Sequence, residues 1–66
     1  MFSCDLYKNG ESEFIRTINF YQLPKNGDTI EYDDCIFIIK EVRHVFKNDT
    51  WVCNRLYVDL IEKELC

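Results

Sequence analysis

Apolar and polar residues alternate with a period of two along much of the chain. Phe2–Tyr7 follows this pattern, and Glu13–Tyr21 is rich in β-branched and aromatic residues. A period of two indicates half-buried strands, because successive side chains in a strand point to opposite faces. No segment keeps a 3.6-residue period for three turns. The pattern therefore predicts strands and no long helix.

Short turn sequences separate the predicted strands. Asn9-Gly10 lies between the first two, and both residues tolerate the positive φ that a type I′ hairpin turn needs. A turn containing the only proline follows over residues 22–28. Thr29–Tyr32 is a short strand, and Asp33-Asp34 is a tight turn. These signals predict an N-terminal hairpin followed by further closely spaced strands.

Two longer strands complete the chain. Cys35–Phe46 begins with residues that are apolar on both faces, which is typical of a central strand. An apolar face can continue along it only if one extra residue sits near Lys40–Glu41, so a β-bulge is predicted there. A turn follows at Lys47–Thr50. The last strand is Trp51–Ile61, with Leu56, Val58 and Leu60 predicted to face inward and Arg55, Tyr57 and Asp59 outward.

These elements predict one domain over residues 1–66. Five short strands with tight turns favour a small SH3-like barrel or a strongly curled antiparallel sheet with an N-terminal hairpin. The fold class is therefore all-β. Glu62–Cys66 is expected to add a helical turn or to fray.

Part of the chain resembles a known group of proteins. Leu-Pro-x-x-Gly-Asp-x-Ile over residues 23–30 is followed by Phe-x-Ile-x-x-Val-x-His over residues 37–44. Here the chain resembles small, mostly uncharacterised SH3-like barrel proteins of bacteria and their phages. The resemblance covers about a third of the chain. It implies the barrel fold, and it leaves the hairpin of residues 1–21 outside.

Composition adds an expectation about assembly. Apolar residues make up 47% of the 66 residues and aromatic residues 15%. A chain this short buries only about 60% of the surface that its unfolded form exposes. The apolar side chains therefore exceed what one small sheet can cover, and exposed strand edges invite pairing with a second copy. We expect a homo-oligomer.

Charge and cysteine spacing exclude several function classes. A net charge of −4 argues against non-specific binding of nucleic acid, which needs a basic face. The cysteines are too far apart for the paired spacing of a zinc site, so no metal and no cofactor are expected. The N-terminal residues lack a signal-peptide pattern and no apolar run is long enough to span a membrane, which predicts a cytoplasmic protein without a membrane partner.

Catalytic chemistry has few candidates. His44, the only histidine, could act as a general base beside Asp59 or Glu41. A nucleophilic pair with Cys35 or Cys53 is a second arrangement, but no glycine-rich oxyanion loop adjoins either cysteine. A half-buried histidine at the barrel mouth is the favoured interpretation, and the chain is predicted not to be an enzyme.

Cationic and aromatic residues concentrate in the last two strands. If these strands pair antiparallel, their side chains are expected near one edge, where cations and aromatic rings could hold a nucleotide, an acidic peptide or nucleic acid. The predicted ligand-binding residues are Lys40, Arg43, His44, Lys47, Trp51, Arg55 and Tyr57.

Two functions follow as hypotheses. The first is a non-enzymatic binding or adaptor module, oligomeric, of the kind a phage could use to capture a host protein or a nucleotide signal. The alternative is a nucleic-acid-associated barrel that uses the Lys/Arg/aromatic face.

Overall fold

Five strands form one curled sheet. The computed structural model describes residues 1–11 and 13–63. Its strands are β1 (Phe2–Lys8), β2 (Glu13–Phe20), β3 (Thr29–Tyr32), β4 (Cys35–Lys47) and β5 (Thr50–Lys63). They lie in the sheet in the order β2-β1-β5-β4-β3. The all-β fold class is confirmed. Residues 62 and 63 continue β5, and the rest of the expected terminal turn lies outside the described residues.

The strand pairing differs from the expected antiparallel sheet at one place. β1 pairs with β2, β3 with β4 and β4 with β5 in antiparallel fashion. β1 pairs with β5 in parallel, with Cys4 opposite Asn54 and Leu6 opposite Leu56. The N-terminal hairpin therefore packs beside the last strand of the chain rather than beside the next one. This long-range pairing places β5 at the centre of the sheet.

The predicted bulge in β4 is confirmed. Ile39 pairs with Val58 and Glu41 with Tyr57, which leaves Lys40 as the extra residue. Two further register shifts lie between β4 and β5, one at each end of the pair. Bulges increase the local twist and bend a strand. The three irregularities together explain why the sheet curls into a half-barrel.

The turns follow the sequence signals with one correction. Asp33-Asp34 and Asn48-Asp49 have positive φ at both residues, as two-residue type I′ turns require. In the first hairpin Gly10 has positive φ (85°) but Asn9 does not, so the type I′ prediction for Asn9-Gly10 is wrong. Four residues separate β1 from β2, and the longer loop closes with a hydrogen bond from the Glu11 amide to the Lys8 carbonyl (3.3 Å).

The core lies on the concave face of the half-barrel. Its fully buried members come from the three inner strands: Cys4, Leu6, Ile39, Leu56 and Val58. The prediction for Leu60 is wrong, because its side chain is 54% exposed. β1 ends at Lys8, opposite Val58 of β5. Leu60 therefore lies beyond the end of β1, and β1 does not cover its side chain. Tyr57 faces outward as predicted, yet it is only 6% exposed because other convex side chains cover it.

The turn that precedes β3 is fastened to β4. Gly27 has φ of 96°, and its amide donates to the Ile39 carbonyl at 2.8 Å. The Ile39 amide in turn donates to the Asp28 carbonyl, and the Asp28 carboxylate accepts from the Lys25 amide at 2.9 Å. The Gly-Asp pair therefore has a conformational role. It holds the loop that carries Leu23 against the concave face.

Candidate functional site

The predicted site residues lie on two faces of the sheet rather than at one edge. β4 and β5 are inner strands, so their residues do not form a sheet edge. Arg43, Arg55 and Tyr57 lie on the convex face, whereas His44 and Trp51 lie at one end of the concave face. Exposed positions elsewhere on β4 are occupied by Lys40, the bulge residue, and Lys47, the last residue of the strand.

On the convex face, arginines lie over tyrosine rings. The Arg43 guanidinium is 4.6 Å from the centroid of Tyr57, and that of Arg55 is 5.2 Å from the centroid of Tyr7. The two tyrosine rings are 5.6 Å apart. Arg43 Nε also donates to the Glu41 carboxylate, a hydrogen bond that raises the pKa of the guanidinium, with the Glu41 charge adding to it. The rings and cations of this face already contact one another.

The concave face ends in a pocket of about 390 Å³. β1 contributes Phe2 from its first position, and the loop before β3 contributes Leu23. The facing ends of β4 and β5 contribute the remaining lining residues, His44, Trp51 and Asn54. A pocket of this volume with mostly apolar walls and a few convergent polar groups is typical of ligand sites. His44 and Trp51, two of the predicted residues, meet here.

One buried side chain organises the polar part of the pocket. Asn54 is 4% exposed, and its Oδ1 accepts from Trp51 Nε1 at 3.1 Å. His44 Nδ1 lies 2.9 Å from the same oxygen. Because an amide oxygen only accepts, His44 Nδ1 must carry the proton of this hydrogen bond. The neutral imidazole is therefore held as the Nδ1–H tautomer, with Nε2 as its free acceptor.

The three cysteines within the described residues are poorly placed for nucleophilic catalysis. Cys4 is fully buried, and burial raises its pKa above the ordinary value, while a hydrogen bond with Asn54 acts in the opposite direction. Cys53 directly precedes Asn54 in β5, so strand alternation places its side chain on the convex face, away from His44. Cys35 begins β4, nine residues from His44, which in a strand is roughly 30 Å. Neither cysteine proposed from the sequence forms a pair with the histidine.

The acids expected near His44 have other partners. The Glu41 carboxylate accepts from Arg43, and the Asp59 carboxylate accepts from the Asn9 side chain at 3.5 Å. Within residues 1–11 and 13–63, no group of three or more His, Cys, Asp or Glu side chains could hold a metal ion. No helix of the described chain is long and apolar enough to cross a membrane.

No family model, curated protein or solved structure matches this chain. Its function must therefore be argued from its own side chains. The resemblance to SH3-like barrel proteins rests only on the turn and core residues quoted above.

Three pocket residues were not predicted from the sequence: Phe2, Leu23 and Asn54. A signal for Asn54 was present, because it shares the inward alternation of Leu56 and Val58 and is polar at an inward position. A polar residue at such a position needs hydrogen-bond partners. Phe2 and Leu23 reach the pocket through the parallel β1–β5 pairing and the fastened loop, which local patterns do not reveal.

Proposed function

We propose that this domain is a non-enzymatic binding module whose ligand occupies the concave pocket. The observation that carries the proposal is the arrangement of Asn54, which is buried and aligns His44 and Trp51 at the pocket wall. Orienting two exposed side chains through one buried amide produces a preformed site, and preformed sites lose less conformational entropy on binding.

The cysteine and histidine environments support binding rather than catalysis. His44 is bonded to a neutral amide, which gives it no carboxylate to stabilise an imidazolium. Cys4, which lies opposite Asn54 in the sheet, is buried and has a raised pKa, so it stays protonated at neutral pH. A reactive cysteine needs the opposite environment, with an exposed sulfur and a lowered pKa.

Exposed apolar side chains support self-association as part of the proposal. The accessible surface is 4928 Å², against roughly 4,450 Å² for a compact monomer of this mass. Large apolar patches on a soluble domain mark interaction surfaces. Among the described residues, the exposed large apolar side chains are Met1, Phe2, Phe14, Ile15, Tyr21, Phe46, Trp51, Val52, Leu60 and Ile61. We propose that copies of this chain cover part of this surface.

The alternative function is a nucleic-acid-associated barrel. Its support is the convex pair Arg43 and Arg55, which lie directly opposite each other on β4 and β5. The ring faces of Tyr57 and Tyr7 are covered by these guanidiniums, so bases would have to displace them to stack. Binding that weakens steeply with salt would favour this alternative. Failure to bind DNA or RNA at low salt would count against it.

Two matched phenylalanines test the proposed pocket. Phe2 and Phe14 both belong to the N-terminal hairpin and are 44% and 54% exposed, but only Phe2 lines the pocket. A fragment and peptide library is screened by thermal shift, and native mass spectrometry records any co-purifying molecule and the number of copies. Phe2→Ser should abolish the binding that Phe14→Ser retains. Equal binding by both variants would contradict the proposal.

A further inference from the structure

The hydrogen-bonding capacity of Asn54 is used within the protein. Its Oδ1 receives Trp51 Nε1 at 3.1 Å and His44 Nδ1 at 2.9 Å, which occupies both lone pairs of the oxygen. Asn54 therefore positions His44 and Trp51, and its oxygen has no lone pair left to accept a hydrogen bond from a ligand. Trp51 Nε1, the only donor of the indole, is committed to Asn54 as well.

His44 Nε2 is then the acceptor that the pocket side chains leave free. The neutral ring carries its proton on Nδ1, and so Nε2 has an unshared electron pair. The other lining side chains, Phe2 and Leu23, have no polar atoms. A ligand that reaches this nitrogen gains a hydrogen bond only if it presents an N–H or O–H group.

The pocket also lacks charge. None of its five lining residues is acidic, lysine or arginine. The paired arginines lie on the opposite face of the sheet, over Tyr57 and Tyr7. Transferring a charged group from water to an apolar pocket is strongly unfavourable unless an opposite charge or hydrogen bonds compensate it. The walls instead offer two aromatic rings, Phe2 and Trp51, to which a flat ring can pack.

We infer that the group bound in this pocket is an uncharged aromatic ring with one hydrogen-bond donor, which donates to His44 Nε2. This inference rests on the proposed function, because it names the ligand chemistry of the same pocket. The ring packs against Phe2 and Trp51, and the donor selects among rings of similar shape.

Phenol and anisole test the donor directly. They share the ring and oxygen, and only phenol has an O–H. The chain has a single tryptophan, so its indole N–H gives one NMR signal that reports the pocket. Titrations at pH 7.5 follow this signal with phenol, anisole, benzoate and benzylamine. Phenol should bind roughly three- to tenfold more tightly than anisole, the ratio expected for one net hydrogen bond. The charged rings should bind more weakly than either.

His44→Phe supplies the control, because it keeps an aromatic ring and removes the nitrogen. Removing the nitrogens also removes the bond to Asn54 and changes the overall affinity of the pocket, so the measured quantity is the ratio of the two affinities: the variant should lose the preference for phenol over anisole. Equal affinities of phenol and anisole for the natural chain would overturn the inference while leaving the pocket as a binding site. Tightest binding of benzoate or benzylamine would overturn it too. If no ring shifts the Trp51 signal, the proposed function fails together with the inference.

Discussion

The Arg16 guanidinium of β2 lies 4.7 Å from the centroid of the Tyr32 ring of β3. Arg16 also donates a hydrogen bond to the Tyr32 hydroxyl. β2 and β3 are the two edge strands of the sheet, and no backbone pairing joins them. This contact therefore spans the opening of the half-barrel and links its edges through side chains alone.

Removing this link should loosen the half-barrel. Arg16→Ala is expected to lower the free energy of unfolding by about 0.5–1 kcal/mol, the usual contribution of an exposed cation–π pair. In a domain of this size the melting temperature should fall by roughly 2–8 °C. Tyr32→Phe keeps the ring and should cost less. A double-mutant cycle of Arg16→Ala and Tyr32→Ala measures the coupling, and strictly additive losses would show that the two side chains do not interact.

Backbone strain at Gly27 gives a second prediction. Its φ of 96° is one that residues with a Cβ rarely adopt, and no atom lies within 4 Å of the position where a Cβ would stand. Gly27→Ala should therefore destabilise the fold through the backbone alone, by about 1–2 kcal/mol. Asn26→Ala is the neighbouring control and should have little effect. Chemical denaturation of both variants provides the measurement, and equal stabilities would refute the strain argument.

Cys4, Cys35 and Cys53 should react with a thiol reagent at different rates. Cys4 is fully buried, whereas Cys35 and Cys53 are half-buried. Under native conditions a thiol reagent should label Cys35 and Cys53 well before Cys4, and unfolding should remove the difference. Peptide mass spectrometry after timed labelling gives the order. Early modification of Cys4 would place that side chain outside the core.

The raised pKa of the Cys4 thiol predicts that the stability of the fold depends on pH. Burial raises the pKa of Cys4 in the folded state, so the folded protein holds this proton more tightly than the unfolded chain does. Its contribution is fully present below the unfolded value of about 8.5 and is lost as pH rises through the folded value. Urea unfolding between pH 7 and pH 10 should show this decline, and Cys4→Ala should reduce it. An unchanged slope in the variant would assign the effect to other groups.

Self-association is predicted from the exposed apolar surface. Light scattering coupled to size exclusion should give a mass of two or more times 8.0 kDa. Val52→Lys places a charge on a side chain that is 51% exposed and outside the pocket, and tests whether this end of β5 is covered by a second copy. A monomeric mass at high protein concentration would contradict the oligomer.

The sequence predicted the local features of the fold well. The alternation of Phe2–Tyr7, the turn residues Asp33-Asp34 and the extra residue at Lys40 all depend on neighbours in sequence, and the structure has each of them. The parallel pairing of β1 with β5 was not predictable in this way. It joins Cys4 to Asn54, which are fifty residues apart in the sequence. No pattern within either strand indicates which strand it pairs with.

The candidate site was predicted only in part for the same reason. The sequence grouped cationic and aromatic residues by their closeness along β4 and β5. Strand alternation and the shift at Val45/Phe46 then place Arg55 on the convex face and His44 and Trp51 on the concave face. The predicted set is therefore divided between two surfaces. Asn54, which organises the pocket, lies in a strand with many apolar residues, and the sequence analysis did not single it out.

The tautomer of His44 tests the central claim most directly. The chain contains one histidine, so a long-range ¹H–¹⁵N NMR spectrum shows a single imidazole. If Asn54 Oδ1 holds both Trp51 and His44, the proton of the neutral ring should lie on Nδ1, with Nε2 showing the shift of a bare acceptor. An imidazole protonated on Nε2 would mean that Asn54 does not hold the ring, and the account of the pocket would be wrong.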